Sequence, residues 1–520
     1  MDSTTLWVRP GPLDYHYAGP YGRGDGSSYS DAIAGLMNVP WDTPHLQVIV
    51  ADQHVKRWTG KSTVAGHASI PIVSGSADTP VIVRGDASRF DGKARDGVII
   101  GGMIDEYSPA WTDHGSGVWS RTSTRFNFSN QVWGLRVGGK ETQLDDYVVV
   151  SPVASLEACE GSEDTSFLAK AGNPWTHYVH FPDGMTPATQ VIIPSLGYRF
   201  NNANKSNLIF YGLQFGLFGT GSGSHQEFRR CKLRFGGILV GVTGDKPGYV
   251  VDRCHLQHSG SGVYLFSING TPPQISNSAR VTSCEIYDIG KEWFNEAPSD
   301  AHAIAARHGI DGYYIDGCRT ERTGHPIVMY NYAWSSCKNV HIRRTVCRGA
   351  HPHYRAPTWN GIALNPADAY SSPSWDSFES TNNMVDRCYV DGTNMNYPIR
   401  NGIVVDYKAE DAVFKVINCQ VDGGEYGICM ANGRATEDRV STGFLRGNVL
   451  RGQTAAFLLQ AGTTTERKNY VRNGGLDSDN NTFITQGSNP ATYARFGSTA
   501  RTFAEWQFES VRFDPHSTIK

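Results

Sequence analysis

Five side chains between residues 300 and 330 could do chemistry together: Asp300, His302, Arg307, His325 and Tyr330. Cleaving a uronate-containing glycan by β-elimination asks for three groups. A cation neutralises the C6 carboxylate, a base removes the C5 proton, and an acid protonates the leaving oxygen. Arginine, histidine and tyrosine fill those roles when their neighbours shift their proton affinities. In that arrangement Arg307 holds the carboxylate, His302 or His325 is the base, Tyr330 is the acid, and Asp300 orients a histidine. Hydrolysis is the competing chemistry. It needs two carboxylates, about 5 to 5.5 Å apart for retention or about 6.5 to 9.5 Å for inversion. Asp300 with Asp311, or Asp406 with Glu425, are the pairs on offer.

Charge and aromatic residues around these groups indicate what would be held. Residues 300 to 360 carry eight Lys or Arg and six His against four acids, in a chain of net charge −3. That local excess suits an anionic polysaccharide or oligosaccharide. Trp293, Tyr332 and Trp359 can stack on sugar rings. With His308, Arg355, Asn365, Asp406 and Lys408 they form the expected substrate-binding set.

A repeated phrase positions them. It reads Phe228-Arg-Arg-Cys231-Lys-Leu233, Val251-Asp-Arg-Cys254-His-Leu256, Val281-Thr-Ser-Cys284-Glu-Ile286 and Ile315-Asp-Gly-Cys318-Arg-Thr320. Arg343-Arg-Thr-Val-Cys347, Val385-Asp-Arg-Cys388-Tyr-Val390, Ile417-Asn-Cys419-Gln-Val421 and Leu445-Arg-Gly-Asn448-Val-Leu450 continue it, so seven of the ten cysteines are expected at one repeated corner. After each comes a second apolar run, with landmarks Ile238, Val263, Ile304, Ile327, Ile362, Ile403, Ile428 and Phe457. The steps between landmarks are 25, 41, 23, 35, 41, 25 and 29 residues, so a coil takes 23 to 25 residues and longer steps carry inserted loops. Short strands repeated with no helix between them predict an all-β solenoid whose equivalent positions stack about 4.8 Å apart.

In this repeat the chain resembles the right-handed parallel β-helix superfamily of pectate-lyase-like polysaccharide lyases, glycoside hydrolases and phage tailspikes, over roughly residues 205 to 460. The resemblance implies fold more than activity. It leaves open a lyase, a hydrolase, or a tailspike-type glycan-binding or depolymerising protein, the last implying a homotrimer and a virion-associated or extracellular setting. The polygalacturonase-like motifs are absent. Tyr314-Ile-Asp-Gly-Cys318 differs from the Trp-Ile-Asp-His motif of pectate lyases at Gly317.

Loop lengths locate the trough. From each cysteine to the next landmark the chain takes 7, 9, 20, 9, 15, 15 and 9 residues, so His325 lies on a short turn between tall loops. With the landmarks pointing inward, alternation puts Arg307, Tyr330, Asn365 and Asp406 outward in one row.

The rest is bounded by composition. Residues 1–40 are expected to be a loop and cap, with Ser30 to Leu36 as a short helix; 41–462 are the β-helix; 463–520 are an irregular cap or subunit contact. The stretch from Glu160 to Tyr178 breaks the repeat as a surface excursion. The balance of 47 basic and 50 acidic residues excludes a globally basic nucleic-acid binder. No run of 18 apolar residues predicts a membrane span, and no basic, apolar leader is seen at the start. No Cys-x-x-Cys or zinc spacing occurs, and no Asp-x-Asp density for calcium, so neither metal nor cofactor is expected and the cysteines are expected as thiols.

Overall fold

The computed structural model describes all residues except 1–2, 13–21, 59–67, 86–96, 106–110, 124–132, 137–146, 170–174, 182–190, 194–197, 201–203, 216–223, 235–237, 243–247, 260, 268–275, 278, 290–301, 308–309, 331–336, 351–359, 365–380, 394–398, 407–412, 432–441, 460–474, 486–491, 497 and 510–514. The chain coils through three long sheets in turn. One coil runs Ala279–Thr282 in the first sheet, Glu285–Ile289 in the second and His302–Arg307 in the third. Tyr314–Asp316 then lies parallel on Ala279–Thr282 and the next coil begins. This is a parallel β-helix, nearly all β. No helix among the described residues is long and apolar enough to cross a membrane.

The apolar landmarks stack as the repeat predicts. Ile238, Val263, Ile304, Ile327, Ile362, Ile403, Ile428 and Phe457 pair in one unbroken register. All are buried in the lumen, and removing a side chain of this size from water contributes about 1.5–3 kcal/mol. The preceding glycines have a packing reason. A Cβ on Gly361 would meet Val390 Cγ1 at 2.4 Å, and one on Gly402 would meet Val421 Cγ1 at 2.3 Å. At these two coils the third sheet approaches the second too closely for a side chain at that position.

The cysteine corner is also real, with one correction. Register aligns Cys231, Cys254, Cys284 and Cys318, then Thr345, then Cys388, Cys419, Asn448, Asn481 and Ser517. Cys347 lies two residues further on, opposite Thr320. Matching by residue letter misplaced it; the period of two assigns the corner to Thr345. Each corner cysteine bonds two carbonyls. The thiol of Cys254 donates to Phe228 O (3.3 Å) on the coil before and to Asp252 O (3.5 Å) on its own. Thr345 donates to Arg343 O at 2.9 Å. All ten cysteines are buried thiols without a disulfide.

The residue before each corner position is left-handed: Arg230, Arg253, Ser283, Gly317, Arg344, Arg387, Asn418, Gly447 and Asn480 have φ of 48–66°. Non-glycine residues rarely adopt that region. Here their N–H groups keep the ladder paired through the bend, as Arg253 N to Thr282 O (2.9 Å) and Arg344 N to Asp386 O (3.0 Å). This corner explains Gly317 without reference to chemistry.

The two ends differ from expectation. Ser30 to Leu36 does not form a helix. Ile33–Ala34 is a strand against Val8 and Arg9, followed by a single 3-10 turn, Leu36–Asn38. Gly24 and Gly26 donate to Ala32 O and Asp31 O, so the backbone groups a helix would use are already committed. Past residue 462 the stacking goes on through Leu476–Asp479, Thr482–Ile484 and Ala494–Phe496. The helix Phe503–Glu509 then closes that end, with Trp506 fully buried and stacked on Phe457 at 5.5 Å.

The excursion expected from Glu160 to Tyr178 is larger. Gly97–Asp105 and Leu213–Phe215 pair directly in the second sheet, while Thr112–Asp113, Val118–Ser123, Trp175–His180 and Thr165–Ala169 between them form an antiparallel extension joined to that sheet by further strand pairings.

Candidate functional site

The third sheet carries three rows of equivalent backbone positions, counted from the landmark of each coil. Two residues before it stand His302, His325, Asn360, Asn401, Tyr426 and Ala455. His302 and His325 are paired in register with ring centroids 5.3 Å apart, and Asn401 Nδ2 donates to Asn360 Oδ1 at 2.8 Å. One residue after the landmark come Val328, Ala363, Val404, Cys429 and Leu458, and three after it come Arg307, Tyr330 and Asp406.

The middle row revises the expected trough. Val328, Ala363, Val404, Cys429 and Leu458 join Tyr426 and Ala455 in an apolar cluster separate from the lumen, all within 6% of complete burial. The outer side of this sheet is therefore sealed along its centre. Its strands read Gly-Ile-Ala-Leu364, Gly-Ile-Val-Val405 and Gly-Ile-Cys-Met430. Such near-continuous apolar runs mark parallel strands buried on both faces. That signal was in the sequence and outweighs simple in–out alternation.

The two histidines separate accordingly. His302 is fully buried against His325 and the Tyr264 ring (5.9 Å), so it is not a surface base. His325 is half-buried, and burial lowers its pKa to about 4. Arg307 pairs with Tyr330 in register on adjacent coils, as expected. Asp406 also lies on its strand, but its partner there is Ala431 and not Glu425, whose carboxylate takes Arg400 Nε at 2.8 Å. Asp311 accepts from Asn339 at 2.7 Å. Asp300, Trp293, His308, Tyr332, Arg355, Trp359, Asn365 and Lys408 lie outside the described residues.

Sequence reasoning missed the outer face of the second sheet. There Arg322 grips Asp288 with Nε (2.6 Å) and Nη2 (3.0 Å) and reaches Glu321 with Nη1 (2.7 Å), while Arg319 holds the other oxygen of Glu321. Burial pushes the Asp288 carboxyl up, but the Arg322 bonds outweigh it and leave it below the usual value. His255 sits beside Glu285 (3.4 Å) and Tyr287, its pKa lowered by burial and by Lys232. Arg319 and Arg322 are each neutralised by a neighbouring carboxylate, as in a structural ladder.

Further along, Asp391 and Asp422 are the carboxylates that register sets side by side on consecutive coils among the described residues. Asp422 Oδ2 accepts from the Tyr389 hydroxyl at 3.0 Å and from Gln420 Nε2 at 2.9 Å, and burial with the first contact pushes the Tyr389 hydroxyl up to about 12. Only their strand register, not their letters, marks them as a pair. Among the described residues no three His, Cys, Asp or Glu side chains gather to hold a metal ion.

No protein-family model matches the chain, and no curated protein sequence does. The solved structures it is similar to include a glycoside hydrolase, at 11% identity and a TM-score of 0.46 over 86% of this chain and 96% of that one. Another is a complex of XylC with xylose, at 9% identity and a TM-score of 0.38 over 99% of this chain and 86% of that one. At these values neither likeness extends to activity.

Proposed function

We propose that the protein is a carbohydrate-active enzyme that cleaves an acidic glycan by β-elimination along the outer side of the third sheet. One observation supports this most: Arg307 is in register with Tyr330, on the two coils that also set His302 against His325. Two consecutive coils thus carry a cation beside a phenol at one end of a pair of six-residue strands and two imidazoles at the other end. In this reading Arg307 neutralises the uronate carboxylate and Tyr330 protonates the leaving oxygen. His325 is the base, because burial keeps it neutral above about pH 4 and a neutral imidazole accepts a proton. The uronate anion brought beside it raises its proton affinity toward the working range. Buried His302 positions His325 and does not itself meet the substrate. Asp300 and the aromatic and basic residues of the flanking loops complete the proposal as orienting and sugar-binding groups.

Incubation with a panel of acidic and neutral polysaccharides tests it. Unsaturated uronate products, seen by ultraviolet absorbance, are expected from an acidic glycan and should vanish in Tyr330→Phe and His325→Ala. Reducing ends without absorbance would replace the lyase with a hydrolase, and retention without cleavage with a binding protein. Full activity in both variants removes these residues from the mechanism.

A further inference from the structure

A second site lies off the solenoid, on the antiparallel sheet inserted between Gly97–Asp105 and Leu213–Phe215. His114 Nε2 is 2.7 Å from Ser120 Oγ. That is hydrogen-bond distance for a hydroxyl nucleophile and its general base. The two sit across a hairpin whose turn, Gly115-Ser116-Gly117, has three successive positive φ values of 81°, 51° and 79°. One is on a serine, in a region where non-glycine residues are strained. The tip is open: a Cβ on Gly115 would meet nothing within 4 Å. The turn is closed by His114 N to Val118 O (2.9 Å), Val118 N to Gly115 O (3.0 Å) and Gly115 N to Asp113 Oδ1 (2.8 Å). The N–H groups of Ser116 and Gly117 make no protein hydrogen bond among the described residues.

The floor beside the pair is built from the same sheet. Tyr178 pairs with Ser120 in register, and its ring stands 5.6 Å from that of His114 and is stacked on Phe167 at 6.3 Å. Ser120 is 7% exposed while His114 is exposed, so the hydroxyl is reached past the imidazole edge. Nothing in hairpin closure requires this pair, since the backbone bonds above already close it.

We propose that Ser120 and His114 form an esterase site for small carboxylic esters, such as an O-acyl group on a sugar. His114 Nε2 takes the Ser120 proton as Oγ attacks the carbonyl carbon. The tetrahedral oxyanion collapses, the C–O bond to the alcohol breaks, and the leaving alkoxide receives the proton from His114. Water, deprotonated by the same imidazole, then releases the carboxylic acid and restores Ser120. The step is redox-neutral and asks for no further reactant.

Labelling of the intact protein with a fluorophosphonate probe, mapped by peptide mass spectrometry, tests this without relying on a variant. The expected result is modification at Ser120 and turnover of p-nitrophenyl acetate. His114→Ala, with Ser120 retained, should slow labelling by about 10²–10⁴-fold, and Ser120→Ala should abolish both label and turnover while circular dichroism stays as in the parent. Absence of label at Ser120 in the parent overturns the proposal. So does p-nitrophenyl acetate turnover that Ser120→Ala leaves unchanged.

Discussion

Replacing Asn448 by alanine separates the amide half of the corner stack from the thiol half. Asn448 is fully buried and bonds in three directions. Its Oδ1 accepts from Cys419 N (3.0 Å), and its Nδ2 donates to Val416 O and to Asn481 Oδ1, both at 2.9 Å. Alanine leaves the buried Cys419 N–H without its side-chain acceptor and removes the amide donor to the Val416 carbonyl. An orphaned buried polar group costs about 1–3 kcal/mol and the truncation adds a void, so Asn448→Ala should destabilise by about 2–4 kcal/mol. Cys388→Ala removes only weak thiol contacts, 3.5 Å to both Ile342 O and Asp386 O. The small void it leaves puts its cost near about 1 kcal/mol. Urea unfolding monitored by circular dichroism reads the difference as a shift in midpoint at unchanged slope. The reasoning fails if Asn448→Ala and Cys388→Ala lower the midpoint equally.

Three further outcomes are expected. A disulfide-exchanging chromophore should react with none of the ten thiols in the folded protein and with all in guanidinium, because burial drives Cys337 up to about 12 and Cys284 and Cys419 well above the ordinary thiol value. His325 is lowered by burial from 6.5 to about 4, so between those values the unfolded chain holds a proton that the folded one lacks. Its contribution to stability is therefore present above about pH 6.5 and lost as pH falls toward 4; His325→Asn, which continues the Asn360–Asn401 row, should flatten urea midpoints measured across that window. Gly361→Ala forces a methyl against Val390 Cγ1 at 2.4 Å and Gly402 O at 2.6 Å. It should lower stability by about 1–3 kcal/mol in the same assay.

The sequence made the solenoid readable because its repeat is written in buried residues. The eight apolar landmarks align as counted, and the corner was legible wherever a cysteine occupied it. Thr345 was missed because a hydroxyl makes the same i−2 carbonyl bond as a thiol while looking different as a letter. The trough was less legible. Alternation correctly put Arg307 opposite Tyr330, but it treats every outward position as wet, whereas Val328, Ala363 and Val404 are sealed. His302 was misread for the same reason. Ser30 to Leu36 has helical spacing, yet a glycine loop competes for its backbone, and such tertiary pairing has no local signature. The serine–histidine contact at the hairpin depends on a turn of three left-handed residues, which spacing alone does not announce.

The direct contact between Gly97–Asp105 and Leu213–Phe215 has a consequence for how this molecule can change. After the insert the chain resumes its coil, with Tyr198–Phe200 stacked on Ala68–Ile70 and Leu208–Tyr211 back in the first sheet between Val81–Gly85 and Gln226–Arg229. A chassis of this kind accepts cargo at one seam. Whole modules can be exchanged there, with the rod above and below keeping its pitch, so new surface chemistry can be acquired without redesigning the spine.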